Sequence, residues 1–488
     1  MRGSWLQLCP SLPLIVALAA AVRPLLAQLP LLNDPDTYLH VGVGQWIIAN
    51  LTLPTHDPFS HSMSGAHWSV PEWLAEVVLA SAYDLAGWIG IVLLTVACYA
   101  TAIAIFARYL LRYIEPLPAI IAIAASVAVT LPHLLARPHI LALPLLVLWC
   151  AAIIAARDAG RRPHLFLLGC MVLWANLHAS FAFGLAVAIY LTIEAVLWPG
   201  AEGRRREAIG WSTFTLLAIV AAMITPHGVL GLAEPFHLMG MGTLQSSFVE
   251  WQSPNFQEFQ PLEFWLLGAV ALGFSCGFKI PVSRLLLLVG LLHMALVHGR
   301  HADLVGLVLP LAVAASLGPQ IAAKVRSDPP SALAQALARL ALPVTRAGAV
   351  AAALIALLLC APLLLRGVKG PEDSVTPAYA LAEAQRLGLA GPVFNSEGFG
   401  GYLVFRGIKT YIDGRIEMYG DAFLRNYIVA QSGNGEDLKT LLNANHIAWT
   451  LLRPGEGAVG LLDHLAGWHR IYADPYAVIH VRDPASSD

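Results

Sequence analysis

The chain carries a succession of apolar runs, each near the length needed to cross a bilayer, and this feature limits what it can become. A membrane-spanning helix needs about 20 apolar residues. Runs of that kind fall at 11–32, 74–107, 117–135, 140–156, 165–198, 209–226, 264–278, 284–298, 302–318 and 347–366. Only 12% of the residues are charged and 57% are hydrophobic, against about 25% charged in a soluble domain, so lipid is the solvent for most of the chain. The formal net charge of -2 and the lack of a basic tract argue against a nucleic-acid partner. None of the six cysteines has metal-ligand spacing with another.

The run at 165–198 is too long for one helix and is interrupted by Asn176, His178 and Ser180. Splitting it there gives eleven crossings, and the split can be tested on charge, because Lys and Arg collect in cytoplasmic loops. With the N-terminus inside, the inner loops hold Arg108 and Arg112, then Arg157, Arg161 and Arg162, then Arg204, Arg205 and Arg206. Lys279 and Arg284 follow, then Lys324, Arg326, Arg339 and Arg346. The short outer turns hold chiefly Arg137 and Arg300. A single span over 165–198 would put two Arg clusters on opposite faces. The start, Met1 to Leu32, has the alternative reading of a signal peptide; it is read as an uncleaved first span because the segment after it carries chemistry suited to a membrane anchor.

An odd number of crossings leaves the C-terminus outside. From Gly370 onward Asn, Asp and Gly return and apolar runs shorten. Strands are expected at Pro392–Asn395, Gly401–Phe405, Thr410–Ile412, Ile447–Leu452 and Ala477–Val481, and helices at Ala378–Leu387, Asp421–Ala430, Glu436–Asn443 and Ala458–Ala466. The expected architecture is an α-helical polytopic membrane domain over 1–366, with a first outer loop at 33–73, followed by a small extracytoplasmic α/β domain over 367–488.

This topology gathers the unusual polar residues on one face. The first outer loop holds Asp34, Asp36, His40, Asp57 and Glu72; later outer turns hold His133, Arg137 and His139, then Asn176 and His178, then His227, then His298, Arg300 and His301. Each has an ordinary reading: a His at a helix end is usually interfacial, Asp-Pro-Asp is often a turn with an Asx cap, and a terminal Arg snorkels to headgroups. The repetition of His and Arg on one face, against a single inner His at 164, favours function, because ionisable groups at membrane depth are functional candidates. Carboxylates beside Arg and His suit transfer of a group from a lipid phosphate. An Asp accepts the proton of an attacking hydroxyl, and guanidinium groups hold phosphate oxygens and the charge that develops on them. Asp34 and Asp36 with a His could instead hold a divalent metal, although Pro35 between them can aim them apart. An apolar groove between helices would hold a polyprenyl tail.

The series Asp34-Pro35-Asp36-x-Tyr38-x-His40-x-Gly42, then Pro54-x-x-Asp57-Pro58-Phe59-Ser60, then Trp68-x-x-x-Glu72-Trp73-Leu74, resembles the multi-spanning glycosyltransferases of the C superfamily (GT-C). Val393-Phe394-Asn395-Ser396 to Gly400-Gly401-Tyr402-Leu403, with Ile412-Asp413-Gly414-Arg415 and Tyr419-Gly420-Asp421, is similar to the C-terminal part of bacterial membrane proteins of that kind. The resemblance implies an enzyme of the bacterial plasma membrane that takes a sugar from a polyprenyl-phosphate donor on the outer face. It implies a base or metal-ligand role for Asp34 or Asp36, and less directly for Asp57 and Glu72. From their place on the outer face, His40, Asp57, Glu72, Arg137, His139, His178, Arg300 and His301 are expected to bind substrate. No Trp-Trp-Asp acceptor motif is present, so the resemblance leaves the acceptor open. Asp413, Arg415 and Glu417 read either as a turn or as groups pointing at the membrane site. Two other functions are compatible with the sequence: a transporter or flippase of lipid-linked sugars, and a non-catalytic assembly protein. The largely Ala, Leu, Val and Ile inner halves of the spans favour an enzyme over a transporter.

Overall fold

A computed structural model describes residues 9–26, 31–199, 203–325 and 330–483. Met1 and Arg326, named above, lie outside the described residues. The chain is mostly helical. Its membrane part comprises α1 (Leu12–Leu26), α2 (Pro35–Asn50), α3 (Trp73–Leu110), α4 (Pro116–Thr130), α5 (Pro138–Asp158), α6 (Leu167–Leu177), α7 (Phe181–Leu197) and α8 (Arg204–Ala222). It continues through α9 (Val229–Met239), α10 (Gly242–Ser247), α11 (Pro261–Cys276), α12 (Val282–Val297), α13 (Ala302–Val325), α14 (Ala332–Leu340) and α15 (Arg346–Arg366). Among the described residues, five helices are long and apolar enough to cross a membrane: α3, α4 with the short turn after it, α5, α13 with the turn before it, and α15. Six shorter apolar helices accompany them. The break in the 165–198 run falls at His178, which is extended between α6 and α7. At 11 residues, α6 is ~16 Å long, about half the hydrocarbon thickness.

The run at 74–107 is not one straight span. Helix α3 has 38 residues, ~57 Å if straight, and it breaks at Ala86 and Gly87, where Gly87 takes φ 60°. The bend is sharp enough to bring Gly90 onto the carbonyl of Ala82. Its first limb, with Glu76 and Asp84, packs on α2 of the first loop: Gly44 of α2 meets the backbone of Glu76, and Gln45 donates to Asp84 at 2.7 Å. Continuous apolarity hid this bend from the sequence, because a limb packed on protein needs the same side chains as one packed on lipid.

The C-terminal part comprises α16 (Ala378–Arg386), β1 (Val393–Asn395), α17 (Glu397–Phe405), α18 (Ile416–Gln431), α19 (Gly435–Ala444), β2 (Trp449–Leu451), α20 (Gly457–Leu462), β3 (Trp468–Ala473) and β4 (Val478–Arg482). The sheet order is β1-β2-β4-β3, with β1 and β2 parallel and the other pairs antiparallel. Two expectations are corrected. Gly401–Phe405 is the end of helix α17 rather than a strand, and Thr410 makes only an isolated bridge, to Ser60. The strand Trp468–Ala473 had no counterpart in the sequence reading. A helix wins at 401–405 because its glycine face lies against α2. A Cβ on Gly401 would overlap the carbonyl of Pro35, and one on Gly42 would come 3.1 Å from the Cα of Phe405. Around that contact Tyr38 packs with Trp88, Tyr402 and Phe405 at ring-centroid distances of 5.1, 5.0 and 5.2 Å, each worth about 0.5–1.5 kcal/mol beyond its buried area.

At the opposite ends of the helices the inner basic residues are paired. Arg157 bonds Glu194 at 3.0 Å and Glu207 at 3.1 Å, and Arg284 reaches Asp158 at 2.6 Å and Glu194 at 3.4 Å. These buried charges sit at the ends of helices whose remaining side chains are largely Ala, Leu, Val and Ile. They staple α5, α7, α8 and α12 to one another.

Candidate functional site

The site begins at the start of α2. Asp34 is its N-cap: extended, with its Oδ1 accepting from the Asp36 backbone N–H at 2.9 Å and Pro35 in the first turn. The capping reading of Asp-Pro-Asp is therefore realised, and it leaves Oδ2 of Asp34 and the whole Asp36 carboxylate for other partners. They meet Arg137, the extended residue preceding α5. Its segment is pinned beside α2, since Ala136 N–H donates to the Leu31 carbonyl at 2.8 Å and the Thr37 hydroxyl donates to the Ala136 carbonyl at 3.2 Å.

Arg137 faces three carboxylates. Its Nε lies 2.9 Å from Oδ2 of Asp34, its Nη2 pairs with Asp36, and its Nη1 lies 3.1 Å from Oε2 of Glu250. Glu250 also reaches Arg300 at 3.5 Å, and the Arg300 guanidinium stacks 4.4 Å from the Trp251 ring centre. The 249–252 turn is held against the 298–301 turn by Gly299 N–H donating to the Gln252 carbonyl at 2.9 Å and by His298 on the Trp251 carbonyl at 2.5 Å. Burial pushes the Asp36 carboxyl up to about 6 against the pull of Arg137, with Asp34 adding to the rise. Burial also acts to raise Glu250, but Arg137 and Arg300 outweigh it and hold this carboxyl below the usual range.

A second layer lies beside these groups. His40 sits 3.4 Å from Glu76, and His178 sits 3.4 Å from Glu72, with the His139 and His178 rings 6.1 Å apart. Burial pushes Glu72 up to about 7 against the field of His40. Burial disfavours the His40 cation, yet Glu76, Glu72 and Asp36 together hold its pKa above the ordinary value. His227 reaches the Val70 carbonyl at 2.8 Å, and Trp73 donates to Asn176 at 2.8 Å. The outer turns of the sequence reading thus converge on one end of the bundle.

Two sequence candidates lie elsewhere. The His301 ring bonds the Met294 carbonyl at 3.4 Å and packs on His298. Asp57, with no exposed side-chain surface, accepts from Phe59 N–H at 2.9 Å, from the Ser60 hydroxyl, and from Arg415 Nη1 at 2.6 Å. Arg415 in turn grips Asp413 through two bonds of 2.7 Å. It lies between Trp68 and Phe59, 4.5 and 5.1 Å from their ring centres. Asp413 also accepts from Thr410 at 2.9 Å and Tyr419 at 3.0 Å. Glu417 accepts from Trp68 at 3.2 Å, and burial pushes its carboxyl to about 7. Asn395 clips the 411–412 backbone, donating to the Ile412 carbonyl and accepting from Tyr411 N–H, both at 2.8 Å. This cluster joins the first loop to the C-terminal part.

The C-terminal part nevertheless borders the carboxylates. A Cβ on Gly414 would overlap Oδ1 of Asp36. Glu397, at the start of α17, is pushed up to about 8 by burial and then by repulsion from Asp36, and Arg453 lies across Gly398 and the Phe399 ring. The sequence reading missed Glu250, Glu397 and Arg453. Glu250 shares its loop with Glu234, Glu258 and Glu263, so the sequence does not single it out; Glu397 and Arg453 have no local signal. Because only a hydrogen at Gly414 fits against Asp36, Gly414→Ala is expected to shift that carboxylate. Turnover should fall about 10–100-fold with little change in melting temperature, which parallel kcat/KM and Tm measurements check.

A divalent metal does not fit this arrangement. Among the described residues no group of three His, Cys, Asp or Glu side chains is placed to hold one, and the two first-loop acids that the GT-C resemblance offers as ligands both contact Arg137.

No protein-family model matches the chain, and no curated protein matches it in sequence. Solved structures do. The apo oligosaccharyltransferase of Archaeoglobus fulgidus superposes with a TM-score of 0.54 and 10% identity, covering 97% of this chain and 74% of that one. The archaeal oligosaccharyltransferase AglB of the same organism, in complex with an inhibitory peptide and a dolichol-phosphate, gives 0.56 and 11%, covering 90% and 69%. The form tethered to an acceptor peptide with the NVT sequon gives 0.50 and 12%, covering 97% and 74%. At such identities the likeness is one of fold. With its apolar helices, the chain is an integral membrane protein.

Proposed function

We propose that the chain is a glycosyltransferase that moves a sugar from a polyprenyl-phosphate donor to an acceptor on the outer face of the membrane. The observation that carries this reading is the meeting of Asp36, Glu72, Arg137 and Arg300 at one end of the helix bundle. The oligosaccharyltransferase fold supports it, as does the dolichol-phosphate held by one such neighbour. Eleven crossings with the N-terminus inside bring that end to the outer face, with 1–366 as the membrane domain and 367–488 as an extracytoplasmic α/β domain.

In this reading the acceptor attacks the anomeric carbon of the sugar, the bond from that carbon to the phosphate oxygen breaks, and polyprenyl phosphate departs. Asp36 takes the acceptor's proton; its side chain keeps 20% exposure and its Oδ1 is free of Arg137. Arg300, with 31% exposure, takes the phosphate oxygens, since Arg137 is already engaged by carboxylates. Glu72 and His178 border the sugar. The paired charges at the inner helix ends support an enzyme over a flippase, because they hold helices together rather than line a path.

The test is transfer from a radiolabelled polyprenyl-phosphate sugar by purified chain in nanodiscs, followed across pH. A base with a pKa raised to about 6 is protonated and idle at pH 5. kcat/KM should therefore climb about tenfold per pH unit below pH 6 and level off above it. Absence of transfer with every polyprenyl-phosphate donor tried, or a rate that falls as pH rises through 5–7, refutes the proposal.

A further inference from the structure

We infer that Arg137 occupies the place of a divalent cation: its guanidinium is a tethered, permanent counter-ion for the Asp34, Asp36 and Glu250 carboxylates, so that transfer at this centre needs no metal. The inference rests on the proposed reading for its catalytic consequence, and its structural part stands apart from it. Three carboxylates reach a single group from two separate loops, each toward a different nitrogen: Asp34 at Nε, Asp36 at Nη2 and Glu250 at Nη1. Carboxylates gathered on one group repel one another, and the guanidinium between them supplies the positive centre that offsets this. With the guanidinium in place no three His, Cys, Asp or Glu side chains among the described residues are set to hold a metal; with it removed, the oxygen-rich, multiply anionic cluster has the chemistry that hard divalent cations select.

Arg137 is not a passing neighbour. It immediately precedes α5, and the residue before it is fixed at both its N–H and its carbonyl by the Ala136–Leu31 and Thr37–Ala136 bonds. A guanidinium stays charged at any physiological pH and presents its N–H groups in a rigid plane, which matches carboxylates arriving from three directions in a way that an ammonium does not. The consequence for the reaction is a division of labour. Arg137 orients Asp36 and offsets the charge of the acidic cluster, acting as a positioning residue, and Arg300 is left to meet phosphate.

The experiment titrates Mn²⁺ into full-length protein in nanodiscs, read by calorimetry and by Mn²⁺ electron paramagnetic resonance, for wild type, R137A, R137K and the double variant D36N/R137A. The expected result is no stoichiometric binding to wild type or R137K, one sub-millimolar Mn²⁺ site in R137A with a metal-dependent rise in Tm, and loss of that site in D36N/R137A. Chelator should leave wild-type transfer unchanged within twofold. Stoichiometric binding to wild type that D36N abolishes overturns the inference. An R137A protein that takes up no Mn²⁺, or that stays unfolded with Mn²⁺ present, overturns it as well. Metal binding is read without any sugar donor, so a failed transfer assay and a failed cation assignment give different results.

Discussion

Asp36→Asn is expected to lower the transfer rate by about a thousandfold while leaving the folded protein intact. Loss of a positioned general base costs typically 10²–10⁴-fold. Asparagine keeps the shape of the side chain and the place in the first turn of α2, and Asp34 still caps that helix. Arg137 keeps Asp34 and Glu250 as partners, so the turn that carries it has no reason to move. Asp34→Asn makes the contrast. Asparagine caps helices as well as aspartate does, and Asp34 is the more enclosed of the two, with 8% side-chain exposure against 20%. It should lose about tenfold. Measuring both variants with one donor, with Tm alongside, assigns the base; a larger loss at Asp34 would exchange the two roles.

Arg415→Ala has the largest expected effect on stability. Removing it leaves Asp57 and Asp413, neither with exposed side-chain surface, without their cation. Breaking a buried ion pair from one side costs about 3–5 kcal/mol. The Asp57 turn would lose its link to the C-terminal part, and Trp68 would lose the guanidinium stacked on it. A shifted Trp fluorescence and a Tm drop of several degrees in detergent should therefore appear together. Arg415→Lys keeps the charge but not the two-pronged grip, so a smaller loss is expected. The pH dependence has a definite sign. Burial acts to raise Asp413, but Arg415 and the hydrogen bonds around it outweigh that and hold its pKa below the usual aspartate value. The stability from this pair is present at neutral pH and lost as acidification passes through the folded-state pKa. Wild type should lose Tm below about pH 4 more steeply than Arg415→Ala does.

Much of this molecule is legible in its sequence, for reasons that differ between residues. The apolar runs declare themselves because lipid accepts few alternatives to a helix. The break at His178 is readable because three polar residues interrupt an apolar run. The bend at Gly87 is not, because helix buried on helix and helix buried in lipid look alike by composition. Gly401–Phe405 misleads because Tyr, Leu, Val and Phe favour strands on a half-buried surface, whereas Gly401 ahead of them is set by its contact with α2, more than 350 positions earlier. Asp36 and Asp57 share a loop and an Asp-Pro setting, yet one lies beside Arg137 in a partly open site and the other is sealed under Arg415. Only their partners separate them, and partners are a property of the folded chain. The same holds for Glu397 and Arg453.

The contact between α17 and α2 bears on the order in which the protein is made. Asp34, Asp36 and Arg137 emerge from the ribosome early, whereas Gly401, Gly414 and Glu397 emerge only after every helix of the membrane part. A nascent chain therefore holds its acids and their guanidinium for most of its synthesis without the wall that Gly414 and Glu397 supply beside them. Competence arrives late and all at once, when the C-terminal helix docks through its glycines. A chain stopped before that point would carry the acids and their guanidinium with one side of the site missing.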